Sequence, residues 1–325
     1  MSPRLALIFL FVVSLAPLAS PSRAARAVVF KSAFRNPQST TVNPQPAIVR
    51  VAVLDLGRTE TGGRASERLA KMLAGAGVAR EGTRLSVLDR GLGAAAARGV
   101  GYRGSLNMTL AEARNLGAAI GCDFYVTGDA QTIRRSSSAR PVYFESYASV
   151  FVVSARTGRL VLWDRPAAEA DHPEQAEGYL LAALDARKAA RYAAGVVEAF
   201  EREERERFRP ASDEEAEALI DLSTDEGAQA HKDLREPAPY RRLRPAYPDT
   251  ASRAEAEATV DAAVEIGADG EVGRVEIVRW AGFGLDDSVV STIRQMHFRP
   301  AMRDGEAVAV RVLLRYNFRK PTVPK

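Results

Sequence analysis

The residues able to do covalent chemistry are few and scattered along the chain. Cys122 is the only cysteine. It lies between an alanine-rich helical stretch and an apolar strand, the setting of a buried structural thiol rather than of a nucleophile, which would need a neighbouring base. The histidines are His172, His231 and His297, and none stands in a nucleophile context. His297, between a helix and a Phe-Arg-Pro turn, reads as a packing or surface residue. Gly99-Val100-Gly101-Tyr102-Arg103-Gly104 satisfies G-x-G-x-x-G. A dinucleotide turn must leave a strand directly and open a helix, and here an alanine-rich stretch intervenes, so a surface loop is expected. Asp286-Asp287 is a carboxylate pair in sequence only, because adjacent helical residues point about 100° apart. At a helix start both favour the macrodipole. Asn107-Met108-Thr109 is a glycosylation sequon by pattern, but Thr109 with Glu112 makes a capping box for a helix over 110–120. The P-loop, H-E-x-x-H and G-x-S-x-G patterns are absent from the sequence. The expectation is therefore a non-enzyme, with no catalytic residue, no cofactor and no metal.

Composition sets further bounds. The chain has 325 residues, 46% hydrophobic and 26% charged, enough for two packed domains and their connections. The formal charge of +4 includes Arg4, Arg23 and Arg26, so it falls to +1 without residues 1–27. The pI of 9.3 is thus no sign of a nucleic-acid partner, and no basic stripe is interleaved with aromatics. Residues 5–19 form an apolar run too short to span a bilayer, followed by Ala25 and Ala27 at A-x-A spacing. Residues 1–27 read as a signal peptide and the protein as exported and periplasmic; the alternative is an uncleaved inner-membrane anchor. Residues 28–46 read as a flexible leader.

From residue 47 the pattern alternates between strands and helices. Residues 49–56 and 85–90 are apolar strands, 66–74 and 110–120 are helical, a strand begins at Phe124, and a hairpin turns at Ala155-Arg156-Thr157-Gly158. Residues 174–208 read as one long helix whose charged end, with Glu198–Arg202, Glu201–Arg205 and Glu203–Arg207 at i, i+4, should project into solvent. The expected fold class is α+β: an N-terminal α/β domain over 47–208 with a mixed sheet and a long C-terminal helix, then a linker over 209–240, then a small domain over 241–325. The linker is polar, holds Pro210, Pro237 and Pro239, and suggests a short helix around 214–222.

The last domain has the sharpest signals. Residues 259–266 alternate, with Val260, Ala262, Val264 and Ile266 inward. Asp269-Gly270 marks a hairpin. Leu285, Val289, Ile293 and Met296 form one helical stripe, and Phe298-Arg299-Pro300 ends it. The chain closes with a long strand over 307–318 that is expected to be a sheet edge.

In order, Tyr247-Pro248, Asp269-Gly270, Gly282-Phe283-Gly284-Leu285-Asp286, Phe298-Arg299-Pro300-Ala301 and Asp304-Gly305 give residues 243–318 a resemblance to the TonB C-terminal domain family. The resemblance implies a β-β-α-β module that grips partners by strand addition. It points to Val310, Arg311, Val312, Leu313, Leu314, Arg315 and Tyr316 as the contact strand, and to an outer-membrane transporter or another envelope protein as partner. Replacing Val312 by Pro should then abolish binding. Edge-to-edge pairing into a homodimer is the alternative use of the same strand, and Arg311 and Arg315 could simply guard the edge. TonB energy transducers keep a membrane helix with a His and a proline-rich spacer, whereas residues 5–19 lack His. Partner binding carries over better than energy transduction. More weakly, residues 48–165, through Val51-Ala52-Val53-Leu54-Asp55, Asp123-Phe124-Tyr125-Val126-Thr127-Gly128 and Ser154-Ala155-Arg156-Thr157-Gly158, resemble the periplasmic α/β domains of CsgG and LpoB type. A role in transport across, or assembly of, the envelope follows as the expectation. The alternatives are a membrane-anchored energy transducer or an enzyme in the α/β domain.

Overall fold

A computed structural model describes residues 47–76, 78–80, 83–208 and 219–320. The expected signal peptide and leader lie outside these residues. The first half runs β1 (Ala47–Val53), α1 (Glu60–Gly75), β2 (Val78–Arg80), β3 (Thr83–Val87), α2 (Arg90–Gly99), α3 (Leu110–Ile120), β4 (Phe124–Arg135), β5 (Tyr143–Ser154), β6 (Leu160–Asp164), β7 (Ala167–Ala170), α4 (Pro173–Ala183) and α5 (Ala186–Arg207). These strands make a mixed sheet in the order β2-β3-β1-β4-β5-β6, with β7 also on β5. Strand β1 is parallel to both β3 and β4, while β4-β5 and β5-β6 are antiparallel.

The near-continuous apolar run of β1 is explained by burial on both faces. Val49, Val51 and Val53 pack with Leu69 and Leu73 of α1 and with Tyr192, Val196 and Val197 of α5. Ala52, on the opposite face, joins Leu54, Ala113 and Leu116 of α3, and Tyr125. The capping box forms as expected, with Thr109 and Glu112 each bonding the other's backbone N–H.

The single long helix expected over 174–208 is two helices. Leu184 is fully buried and leaves helical geometry at φ −81°, ψ 76°, and Asp185 then caps α5 by accepting from the N–H groups of Arg187 and Lys188. The charged end is exposed at Arg202, Arg205, Glu206 and Arg207, as expected, but Glu203 and Glu204 turn back to the α/β domain. Glu203 is buried, bonded to Arg156 at 3.0 Å and to the Thr157 hydroxyl at 3.1 Å, and Glu204 also meets Arg156. The hairpin turn between β5 and β6 thus claims Glu203, the acid that helical spacing pairs with Arg207.

The second half contains β8 (Ile220–Asp221), α6 (Asp225–Ala230), β9 (Ala238–Pro239), α7 (Asp249–Ala254), β10 (Ala258–Ile266), β11 (Val272–Arg279), α8 (Leu285–Ile293), β12 (Phe298–Arg299), β13 (Ala301–Arg303), β14 (Glu306–Val308) and β15 (Val310–Phe318). The main sheet has the order β11-β10-β15-β8. Leu285, Val289, Ile293 and Met296 pack on its inner face with Val260, Ala262, Val264 and Ile266, so the expected β-β-α-β core is present as β10, β11, α8 and β15. The Asp269-Gly270 turn forms with Gly270 at φ +82°; its amide carbonyl accepts from Phe298, and a side chain there would collide with the Phe298 carbonyl.

Two expectations are corrected here. The long final strand bends near Ala309, because β14 folds back on β13 through Asp304-Gly305 while β15 pairs with β10. The segment expected as a linker is, over its described residues 219–240, laid against the C-terminal domain. Most of the suggested helix around 214–222 lies outside the described residues; at its end Ile220 and Asp221 form a strand that pairs with β15, and β9 pairs with β12. Ile220, Leu222 and Leu234 join the C-terminal core, which gives an apolar reason for the docking.

Candidate partner-binding edge and the joint behind it

Strand β15 is antiparallel to β10 over nine pairs, from Ala258–Phe318 to Ile266–Val310. On its other side, among the described residues, only its N-terminal end is occupied. Ile220 donates to the Ala309 carbonyl at 3.1 Å and Leu222 to the Arg311 carbonyl at 2.7 Å. That fixes the orientation of every later backbone group. Odd-numbered residues turn away from β10, so Leu313, Arg315 and Asn317 present N–H and C=O groups to an edge with no partner among the described residues, while Val312, Leu314 and Tyr316 bond to β10.

The expected contact residues therefore divide into three groups. Val310 and Arg311 lie where β8 already occupies the edge. Val312, Leu314 and Tyr316 turn their side chains onto the core. Leu313 and Arg315 stand on the opposite, exposed face, Leu313 at 38% exposure. Asn317, absent from the expected set, belongs with them by register, and its amide oxygen accepts from the Thr259 hydroxyl at 2.8 Å.

The arginines of this face are committed to carboxylates across the sheet. Asp261, only 3% exposed, receives Arg315 at 2.7 and 3.0 Å and Arg279 at 3.2 Å. Arg315 has its pKa raised by that hydrogen bond and charge. Glu276 takes Arg311 at 2.8 Å and Arg159 of the α/β domain. Burial alone would push the Glu276 carboxyl up, but Arg159 outweighs it and holds the group below the ordinary value.

A second set of contacts joins the two domains. Trp280, 1% exposed, enters the α/β core beside Phe151 at 5.7 Å between ring centres and donates its indole N–H to the Gly158 carbonyl at 3.0 Å. Next to it Gly282, Phe283 and Gly284 all adopt positive φ, of 73°, 56° and 77°. For Phe283 that conformation is rare and costly. Its ring is held against Phe151 and Trp163, and Asp286 braces the loop by accepting from the N–H groups of Ala281 and Gly282 at 2.9 and 2.7 Å. Burial pushes the Asp286 carboxyl up to about 6. From the other domain, the Asn107 amide donates to the carbonyls of Thr259 and Trp280, both at 2.7 Å.

The remaining sequence candidates stay apart. Cys122 is buried, and burial pushes its thiol up to about 12, which leaves almost no thiolate at neutral pH. The glycines of the G-x-G-x-x-G stretch follow the end of α2 instead of a strand, so no phosphate turn is formed. His297 meets Glu271 at 3.0 Å on the surface, His231 accepts from Arg303, and His172 precedes α4. Among the described residues no group of three or more His, Cys, Asp or Glu could hold a metal ion, and no helix is long and apolar enough to cross a membrane.

Residues 244–319 match the family model TonB_C, described as Gram-negative bacterial TonB protein C-terminal. This segment is a TonB C-terminal domain. The solution structure of the TonB C-terminal domain from Pseudomonas aeruginosa is similar at 20% identity, over 32% of this chain and 96% of that one, with a TM-score of 0.24. A hypothetical protein from Chlamydia trachomatis is similar at 11% identity over 46% of this chain and 98% of that one, TM-score 0.31. The PelC dodecamer from Paraburkholderia phytofirmans is similar at 11% identity over 47% of this chain and 90% of that one, TM-score 0.27. At such scores these likenesses carry no functional argument. No curated protein matches the sequence. The TonB C-terminal domain thus includes β15, and β8, which partly covers it, lies upstream of the matched residues.

Proposed function

We propose that this is a non-enzymatic periplasmic protein whose TonB C-terminal domain binds an extended segment of an outer-membrane or other envelope protein by strand addition at β15. The observation that carries the reading is the unpaired backbone of Leu313, Arg315 and Asn317, an edge continuous with a nine-pair ladder. A strand laid there would extend the sheet by main-chain hydrogen bonds, with its register limited at one end by β8. Because Arg311 and Arg315 are held by Glu276 and Asp261, side-chain selectivity would come from Leu313 and from the partner's own alternation. The family match supports the kind of partner. Export is supported by the short apolar run and A-x-A site of the N-terminal segment.

Photo-crosslinking in living cells from Leu313 and Asn317, followed by identification of the captured protein, tests the proposal. Capture of an outer-membrane barrel or another envelope protein is the expected result. Capture of this chain alone would replace the partner by a homodimer. The N-terminal residue of the mature protein tests export separately: Met1 retained in a membrane fraction would convert the reading to a membrane-anchored protein.

A further inference from the structure

A groove of about 840 Å³ runs between the two domains, away from β15. One wall is β6, the last strand of the larger sheet, and the other is β11, the outer strand of the smaller one. Among the described residues, the backbone of β11 meets the other domain only around its end, where Arg279 bridges Thr109 and the following Trp280 donates to the Met108 carbonyl at 3.3 Å, while the Glu276 side chain takes Arg159. The register shows what the rest offers. Val264 faces Val312, so Ala263 faces β11 and pairs with Glu276, and Val275 and Ile277 turn their N–H and C=O groups outward into the groove.

A further feature points to an occupant. Arg202, Arg274 and Arg294 line the same groove, and among the described residues none of them forms an ion pair, although Arg274 lies close enough to Glu276 to act on its carboxyl. The acids there are largely taken: Glu206 and Glu276 by Arg159, and Asp286 by the backbone N–H groups of Ala281 and Gly282. Among the described residues, Asp287 is the one acid of the lining left without a partner.

We propose that this groove receives an extended, acidic segment of a partner polypeptide, paired along Val275 to Ile277 of β11. Its carboxylates would meet Arg202, Arg274 and Arg294, and its apolar side chains would lie beside Trp163. The surface is separate from the β15 edge and does not depend on that reading.

The test uses the purified full chain and a fluorescein-labelled, end-blocked octapeptide of alternating Val and Glu, against its Val and Lys counterpart. The Glu peptide is expected to bind at least about tenfold more tightly, with a shift in tryptophan emission that Trp163→Phe removes. Arg274→Glu combined with Arg294→Glu should weaken it about tenfold; both residues are exposed, so the fold is not at stake. Val275→Pro, which removes an outward N–H and no ladder bond, should do the same with an unchanged circular dichroism spectrum. Leu313→Pro should leave this binding intact. Equal affinity for the two peptides, or loss with Leu313→Pro but not with Val275→Pro, would overturn the proposal. So would a concentration-dependent dimer that Val275→Pro dissolves, since a second copy would then fill the groove.

Discussion

Asn107 and Thr259 exchange two hydrogen bonds across 152 positions of sequence: Asn107 Nδ2 donates to the Thr259 carbonyl at 2.7 Å, and Asn107 Oδ1 accepts the Thr259 N–H at 3.0 Å. The same Nδ2 also serves the Trp280 carbonyl. One amide therefore satisfies backbone groups at the start of β10 and just past the end of β11, where a continuous sheet partner is lacking.

Asn107→Ala leaves those backbone groups without their partner and is expected to cost about 2 kcal/mol in urea unfolding. Asn107→Asp should cost more despite its shape, because it removes both donated bonds and sets a carboxylate against two carbonyls. If Ala proved worse than Asp, packing rather than hydrogen bonding would be the cause.

The β15 register predicts opposite outcomes for neighbouring prolines. Val312→Pro, which sequence alone suggests as the binding test, removes a ladder bond to β10 and should lower stability by about 3 kcal/mol or more. Leu313→Pro removes an outward N–H and should leave the melting temperature nearly unchanged while abolishing capture of the β15 partner. Unfolding of both variants alike would show the edge assignment to be wrong.

Gly282→Ala tests the joint. At φ +73° an added Cβ would lie 2.5 Å from the Phe151 ring and 2.9 Å from that of Trp163. Strain and overpacking together should cost upwards of about 2 kcal/mol. Calorimetry is expected to show the loss, with the two domains melting apart where wild type melts as one.

Asp286 predicts a pH dependence whose sign is set by burial. Its carboxyl is raised from 3.8 to about 6 in the folded protein, so the native state binds the proton more tightly than the unfolded chain does. Stability relative to Asp286→Asn should therefore be greatest below pH 4 and decline as pH rises through about 6, by roughly 2 to 3 kcal/mol in total. A difference that grew with pH would mean that the two backbone bonds outweigh the loss of hydration.

Much of this architecture is legible in the residues because it rests on local rules. Thr109 with Glu112, Asp269-Gly270, and the stripe of Leu285, Val289, Ile293 and Met296 each act within a few positions, and each forms as read. The break at Leu184 was also locally signalled, by Asp185 as a cap inside a run that otherwise looked continuous. The covering of β15 was not. Its strand is two residues long and is held by Ile220 and Leu222 entering a core built from residues far downstream. Asn107 was hidden for the same reason, since a sequon and a bridge between backbones look alike until the distant carbonyls are in place. Phe283 sits between two glycines that announce a turn, yet its own positive φ is tolerated only because Phe151 and Trp163 of the other domain receive the ring.

The bridge at Thr259 also bears on mechanics. A pull on a strand held by β15 would be shared as shear along the ladder with β10, which begins beside Thr259, and would pass from there through Asn107 straight into the α/β domain. The described part of the connection, residues 219–240, offers a second route, because Ile220 and Leu222 also bond to β15. Cutting the chain there should leave the route through Asn107 standing, so that this molecule would behave under tension as one stiff body rather than as a bead on a string.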